Sequence, residues 1–449
     1  MALDNRFVIL EETRKRAEEN YESSMSKIQR APYYMLRLKN YGKYLFPNLI
    51  SIGPIHHGVA KLKRGEQHKL MWASMYAEAN QQTPQVLHKR IADNIARLRG
   101  FFSWHEIGLA DNHYSNDDLA WMLFVDGCSV LQIFEKANLS RLEDLKVKVD
   151  IVAIVRDLLL LENQLPYEVL KLLSEDESKL KLSMYSFCEL QNMFTVIESP
   201  YSLPFTEPEH QIEIIMHSSP PTHLLDCLRT CILSSGMDSI DKGKPQLEEG
   251  LTAHVTSAHA NKKERYISYR NIQELKAAAI GVKRQKNISL KNICFSSSLF
   301  GGNLHLPPLF LDDSTVTILL NLVAYEMCPD FKNKFEISSF IKLLDVLVDS
   351  PEDVKELRSS GILHNSLGSD EEVVEFFNVG STLLHSPTLY SRIREVIEMQ
   401  YKRKLSIWMV EAYYTYFRSP WTIIASLAAL IILVLTTLQT WQAFESNSK

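Results

Sequence analysis

The chain has 449 residues, room for two or three domains or for one large helical domain with insertions. Hydrophobic content of 45% and charged content of 23% are those of an ordinary folded protein, and a formal charge of −5 gives no global drive toward nucleic acid. Basic residues are scattered, with no arginine-rich patch interleaved with aromatics, so no nucleic-acid partner is expected.

Residues 1–29 are polar and mixed in charge, with Glu11, Glu12, Arg14, Lys15, Arg16, Glu18 and Glu19 at helical pairing distances. They read as a solvated arm ahead of a body that begins at residue 30. The Gly53-Pro54 step and Gly58 force turns around Ile55, His56 and His57. Apolar spacing of the 3.6 type predicts helices over 69–80 and 84–107. Asn116 or Asp117 can cap the next helix, whose stripe of Leu119, Met122, Leu123, Val130 and Phe134 also carries Asp126. An apolar helix over 145–161 runs into LLLLENQLP, where Pro166 stops or restarts it. Helices over 165–173, 184–196 and 222–233 complete the first half of the body, 30–233.

Between 234 and 265 apolar content drops and no period survives, which marks a polar insertion or linker. The second half, 266–417, opens with a helix over 271–279. Short alternations on either side of Gly301-Gly302 predict a small β-hairpin over 288–311. Asp312-Asp313-Ser314 caps a helix running to about Met327, and these aspartates read as caps rather than metal ligands. Further helices follow over 337–348, after Ser350-Pro351, after the capping box Ser369…Glu372, and over 388–417.

From 420 to 444 the chain reads PWTIIASLAALIILVLTTLQTWQAF, without a charged side chain. A bilayer core of roughly 30 Å needs about 20 helical residues, so this stretch is expected to be a transmembrane helix centred near Leu430, with Trp421 and Trp441 at the headgroup level. Membrane lipid is then one partner. Lys402, Arg403, Lys404 and Arg418 precede the span and only Lys449 follows it. The positive-inside rule places the body in the cytosol, tail-anchored in the plasma membrane or an endomembrane.

Cysteines stand at 128, 188, 227, 231, 294 and 328. Cys227 and Cys231 have neither redox-pair nor zinc-knuckle spacing; on a helix they share a face and read as small core residues. His56, His57 and His68 are the most suggestive cluster. They can bind metal or move protons, or they can hydrogen-bond the backbone of the Gly-Pro turn, and no tight metal spacing such as H-E-x-x-H is present. Asp126 and Glu162 lie on apolar faces. They are either buried ion-pair partners that fix helix packing or an acid/base pair in a cleft, and the first reading is preferred. Templates for acyl, phosphoryl and hydride transfer are missing, so no catalytic, cofactor or metal residue is assigned.

SIGPIHHG at 51–58, EQHK at 66–69, FVDGC at 124–128, LLLLENQLP at 158–166, LPPLFLDDST at 306–315 and NLVAYEMC at 321–328 stand in register. In this the chain resembles the plant domain-of-unknown-function 247 family over roughly 30–445, with Ile55 where the family usually has an aromatic residue. The resemblance implies a plant membrane-associated protein without established catalysis. Some grass members are implicated in self-incompatibility as pollen-side determinants. Gly53, Pro54, His56, His57, Gly58, His68, Asp126 and Glu162 are the motif residues to follow.

The expected fold is mainly α, a large irregular helical body with a small β-hairpin and one C-terminal transmembrane helix. The expected function is protein interaction, signalling or recognition by a membrane-tethered body with an unidentified protein partner. The competing reading is a hydrolase or metal-dependent enzyme using the His/Asp/Glu cluster.

Overall fold

A computed structural model describes residues 7–8, 10–15, 26–36, 41–110, 113–138, 145, 151–191, 193–194, 219–234, 270–285, 290, 293–298, 301–381, 389–401 and 420–446. The insertion read at 234–265 lies, apart from residue 234, outside them. The fold is mainly helical with a few small strands. Its first half is built from α1 (Lys63–Ala79), α2 (Pro84–Ala92), α3 (Asn116–Asn138), α4 (Ile151–Leu158), α5 (Tyr167–Leu173), α6 (Glu177–Leu190) and α7 (Leu224–Ser234). Helix α3 is the axis, because from Met122 to Phe134 every side chain is buried. A helix covered on all sides must be wrapped by neighbours, and α1, α2, α5 and α6 all pack on it. The Ser115 hydroxyl accepts the Asp118 amide at 3.1 Å and so caps α3 just before the residues expected to do so.

The single helix expected over 84–107 is broken into Pro84–Ala92, Ile95–Arg99 and Trp104–Ile107. Apolar spacing survives the breaks because Leu87, Ile91, Ile95 and Leu98 all face one core. The chain joins the body ahead of residue 30. Ile28 bridges to Phe102, the Lys27 amide donates to Asp330 at 2.7 Å, and Ser26 and Gln29 are buried.

The second half carries β1 (Ile280–Arg284), β2 (Cys294–Ser297), β3 (Gly302–Leu306) and β4 (Leu309–Leu311), then α8 (Asp313–Glu326), α9 (Glu336–Leu347) and α10 (Pro351–Ser359). It continues with β5 (Leu363–Asn365), α11 (Asp370–Ser381) and α12 (Ser391–Tyr401). Strands β2 and β3 pair antiparallel, Cys294 opposite His305, as a hairpin. On the other edge of β3, β1 runs parallel with Ile280 opposite Gly302, so the sheet has three strands. Strands β4 and β5 form a separate parallel pair. The start of α8 follows its local chemistry. Asp312 accepts the Thr315 amide at 2.8 Å, and the Thr315 hydroxyl accepts the Asp312 amide at 2.7 Å. Helix α8 is buried throughout from Thr315 to Glu326 and packs on α4 and α9, and the Tyr41 hydroxyl donates to the Leu320 carbonyl at 2.6 Å. One core therefore runs through both halves.

The stretch read as a transmembrane span is a helix, α13 (Pro420–Ser446), but the spanning assignment does not stand. Among the described residues no helix is long and apolar enough to cross a membrane. The helix carries Thr436, Thr437 and Thr440, whose hydroxyls turn back onto helix carbonyls. Leu430 and Trp441 are exposed, and the Trp421 side chain lies outside the described residues. The tail-anchored arrangement and the membrane-anchored form of the family expectation lose their support with the span.

Candidate functional site

The loop from Ser51 to Gly58 is threaded through the core by its glycine. Gly53 has φ of +72°, and a Cβ there would lie 2.7 Å from the Gln164 carbonyl oxygen, so the position demands both a left-handed backbone and no side chain. Its amide donates to Asp126 at 2.9 Å, and the Pro54 carbonyl accepts the Tyr114 hydroxyl at 3.2 Å. Gly58, with φ of +80°, turns the chain in open space. The three histidines do not converge. His56 is buried, 4.5 Å from the Phe46 ring centroid, with Nε2 3.4 Å from Glu162 but outside hydrogen-bond geometry. His57 is exposed and edge-on to Tyr114, and His68 stacks on Trp72 at 5.8 Å.

Asp126 and Glu162 also belong to different networks. Asp126 meets Lys69 Nζ at 2.5 Å in a pair with almost no solvent contact, and the same ammonium donates to the Ser51 carbonyl at 2.7 Å and lies 3.0 Å from Glu66. Burial works to lower the Lys69 pKa, but Asp126 and Glu66 outweigh it and hold the ammonium above its ordinary range. Glu162 accepts the Ala31 amide and Arg30 Nη1, both at 3.1 Å.

The neighbours of Glu162 do similar work on other segments. Asn163 accepts the Ile52 amide at 2.6 Å and donates to the Ile50 and Asp157 carbonyls. Gln164 donates to the Leu158 and Leu160 carbonyls at 2.8 Å and accepts the Leu225 amide at 3.1 Å. The tripeptide within LLLLENQLP thus ties the segments around residues 31, 52 and 225 to one point. Asp157, fully buried, accepts the amides of Asn48, Leu49 and Ile50, and Asn321 accepts the Leu161 amide. A buried carboxylate or amide left unsatisfied costs about 1–3 kcal/mol, so each of these side chains holds a specific loop in place.

Lys69, Asp157, Asn163, Gln164 and Asn321 were not singled out by sequence pattern. For Asp157 and Asn321 the available signal was a polar residue within an apolar run, the same one that marked Asp126.

A second network lies between α7, α8 and α9. Arg229 donates to Glu326 at 2.9 Å and makes a short contact with Glu336, while Glu326 also accepts the amides of Ile337 and Ser338 at the start of α9. His223, just before α7, accepts the Asp226 amide at 3.2 Å and lies against Tyr325; burial draws its pKa down to about 4.

Cys227 and Cys231, one turn apart on α7, meet Cys188 of α6. The three sulfurs lie within 4.8 Å of one another and all are buried, outside any disulfide. Hydrogen bonds from Cys188 and Cys231 draw the Cys227 thiol below its ordinary range. Among the described residues this is the group of donors with metal-holding geometry.

Two surface features complete the picture. A pocket of about 90 Å³ lined by Tyr76, Glu135, Glu175 and Lys179 is smaller than the roughly 300–1,000 Å³ of small-molecule sites. On α3 the Trp121 ring is 53% exposed, with its centroid 5.9 Å from His88 of α2 and 5.6 Å from buried Phe124.

The chain is similar to UPF0481 protein At3g47200 of Arabidopsis thaliana, 29% identical over 89% of this chain and 83% of the relative. It is also similar to the putative UPF0481 protein At3g02645 of the same plant, 22% identical over 88% of this chain and 86% of the relative. No solved structure matches it. The match to the DUF247 family, described as plant protein of unknown function, runs over residues 28–435. The six motifs, their order and that span make this chain a member of the DUF247 family of plant proteins of unknown function.

Proposed function

We propose that the chain is a protein-recognition component that docks a partner on its helical body and does no chemistry with its motif residues. The observation that carries this reading is the Trp121 ring, half in solvent and held against His88 and Phe124. Tryptophan is enriched among the few residues that dominate binding energy, because a rigid indole brings a large apolar area at little entropic cost. The buried motif side chains Asp126, Glu162, Asn163 and Gln164 support it from the other side, since each is engaged by backbone groups. The test is affinity capture from plant extract with the full chain, comparing wild type with Trp121→Ala. A partner recovered by wild type and reduced more than tenfold by the substitution, with the circular dichroism spectrum unchanged, is the expected result. An identical set recovered by both proteins overturns the reading.

A further inference from the structure

Three sulfurs from two helices, α6 and α7, converge in the core. Two cysteines one turn apart on α7 are ordinary small core residues on their own. A third, Cys188 of α6, brings every Sγ within 4.8 Å of the other two, with the three residues between 0% and 1% exposed. A cation bound at about 2.3 Å from each of three sulfurs sets them about 4 Å apart, within the 4.8 Å seen here, and the three supply three of the four ligands of a tetrahedral ion.

The donor set is all sulfur. His223, one turn before Cys227, is turned to the Asp226 amide and Tyr325, and no carboxylate belongs to the group. We propose that Cys188, Cys227 and Cys231 form a binding site for a thiophilic metal cation that pins α6 to α7. Soft thiolate donors select zinc(II) and copper(I) over magnesium, calcium or manganese. Of the two, the divalent ion leaves the smaller net charge, −1 against −2, in an apolar surrounding, so zinc(II) is the assigned occupant. Loading breaks three S–H bonds, releases three protons to solvent and forms three zinc–sulfur bonds without a change of oxidation state. Because the sulfurs are buried, the ion enters as the chain folds.

The experiment refolds the full reduced chain from urea with one equivalent of zinc(II), or of copper(I) under anaerobic conditions, followed by desalting and metal analysis. Cadmium(II) in place of zinc gives a sulfur-to-metal charge-transfer band. The expected result is one zinc retained per chain, a higher melting temperature than the metal-free form, and the cadmium band. Cys188→Ala and Cys227→Ala should each lower affinity at least tenfold, while Cys294→Ala, at the exposed cysteine, leaves it unchanged.

Retention of copper(I) but not zinc(II) overturns the zinc assignment. Wild type that folds without holding either ion, or uptake lost in Cys294→Ala alone, overturns the site. The wild-type arm needs no variant to fold, and it is independent of the Trp121 surface.

Discussion

Replacing Lys69 by methionine separates a structural ion pair from a catalytic one. The ammonium has almost no solvent contact, meets Asp126 at 2.5 Å and donates to the Ser51 carbonyl at 2.7 Å. Removing it leaves the Asp126 carboxylate buried with only the Gly53 amide, a loss of about 3–5 kcal/mol. Asp126→Asn is milder, about 1–3 kcal/mol, because the amide oxygen still accepts from Gly53 and Lys69 keeps Glu66 and Ser51. The double variant removes both charges and should cost about 3 kcal/mol, well below the sum of the singles. Urea unfolding at pH 7, followed by far-ultraviolet circular dichroism and tryptophan fluorescence, measures all four corners of the cycle. A Lys69→Met protein within about 1 kcal/mol of wild type, or a double variant equal to the sum of the singles, refutes the reasoning. Lys69 is held above its ordinary pKa of 10.5, so its contribution is intact below that pH and disappears as pH rises through the higher folded value.

Gly65→Ala on α1 gains about 1 kcal/mol of helix propensity but sets a Cβ 2.2 Å from the Leu49 carbonyl oxygen, which backbone cannot yield. A net loss of about 2 kcal/mol is expected as a lower melting temperature in scanning calorimetry, and a rise contradicts it. His223 is drawn from 6.5 to about 4 by burial, so the unfolded chain binds the extra proton and stability falls as pH drops through that window. Between pH 7 and pH 5 wild type should lose about 2 kcal/mol more than His223→Phe in urea titrations, and equal losses rule out the buried neutral imidazole. Arg229→Met leaves Glu326 buried against the first amides of α9 and should cost about 3 kcal/mol, with hydrogen exchange accelerated at Ile337 and Ser338. Unchanged protection there removes that network from the account.

Features closed within a few residues were legible in the chain. Asp312 caps α8 as expected, because its carboxylate and the Thr315 amide it accepts are three residues apart. Ser350 and Pro351 open α10 by the same local logic. The hairpin of β2 and β3 followed from alternation around Gly301-Gly302, but the parallel β1 did not, since its partner is held by contacts outside that window. The helix expected over 84–107 is three shorter ones, because apolar spacing reports which face is buried and says little about turns that keep the same face inward. At the C-terminus, apolar composition gave the helix, while the length rule applied to it predicted a span that the described helix does not provide.

By itself the sequence determined the helical character, the caps of α8 and α10, the turn at Gly53-Pro54 and the family, because each rests on short-range sterics or on motif order. Only the tertiary structure decided that Asp126 pairs with Lys69, that Glu162, Asn163 and Gln164 bind three distant loops, and that Cys188 joins Cys227 and Cys231. Those contacts join residues far apart in the chain, and burying a polar group or gathering three thiols depends on which segments the core brings together, a choice that local pattern does not encode.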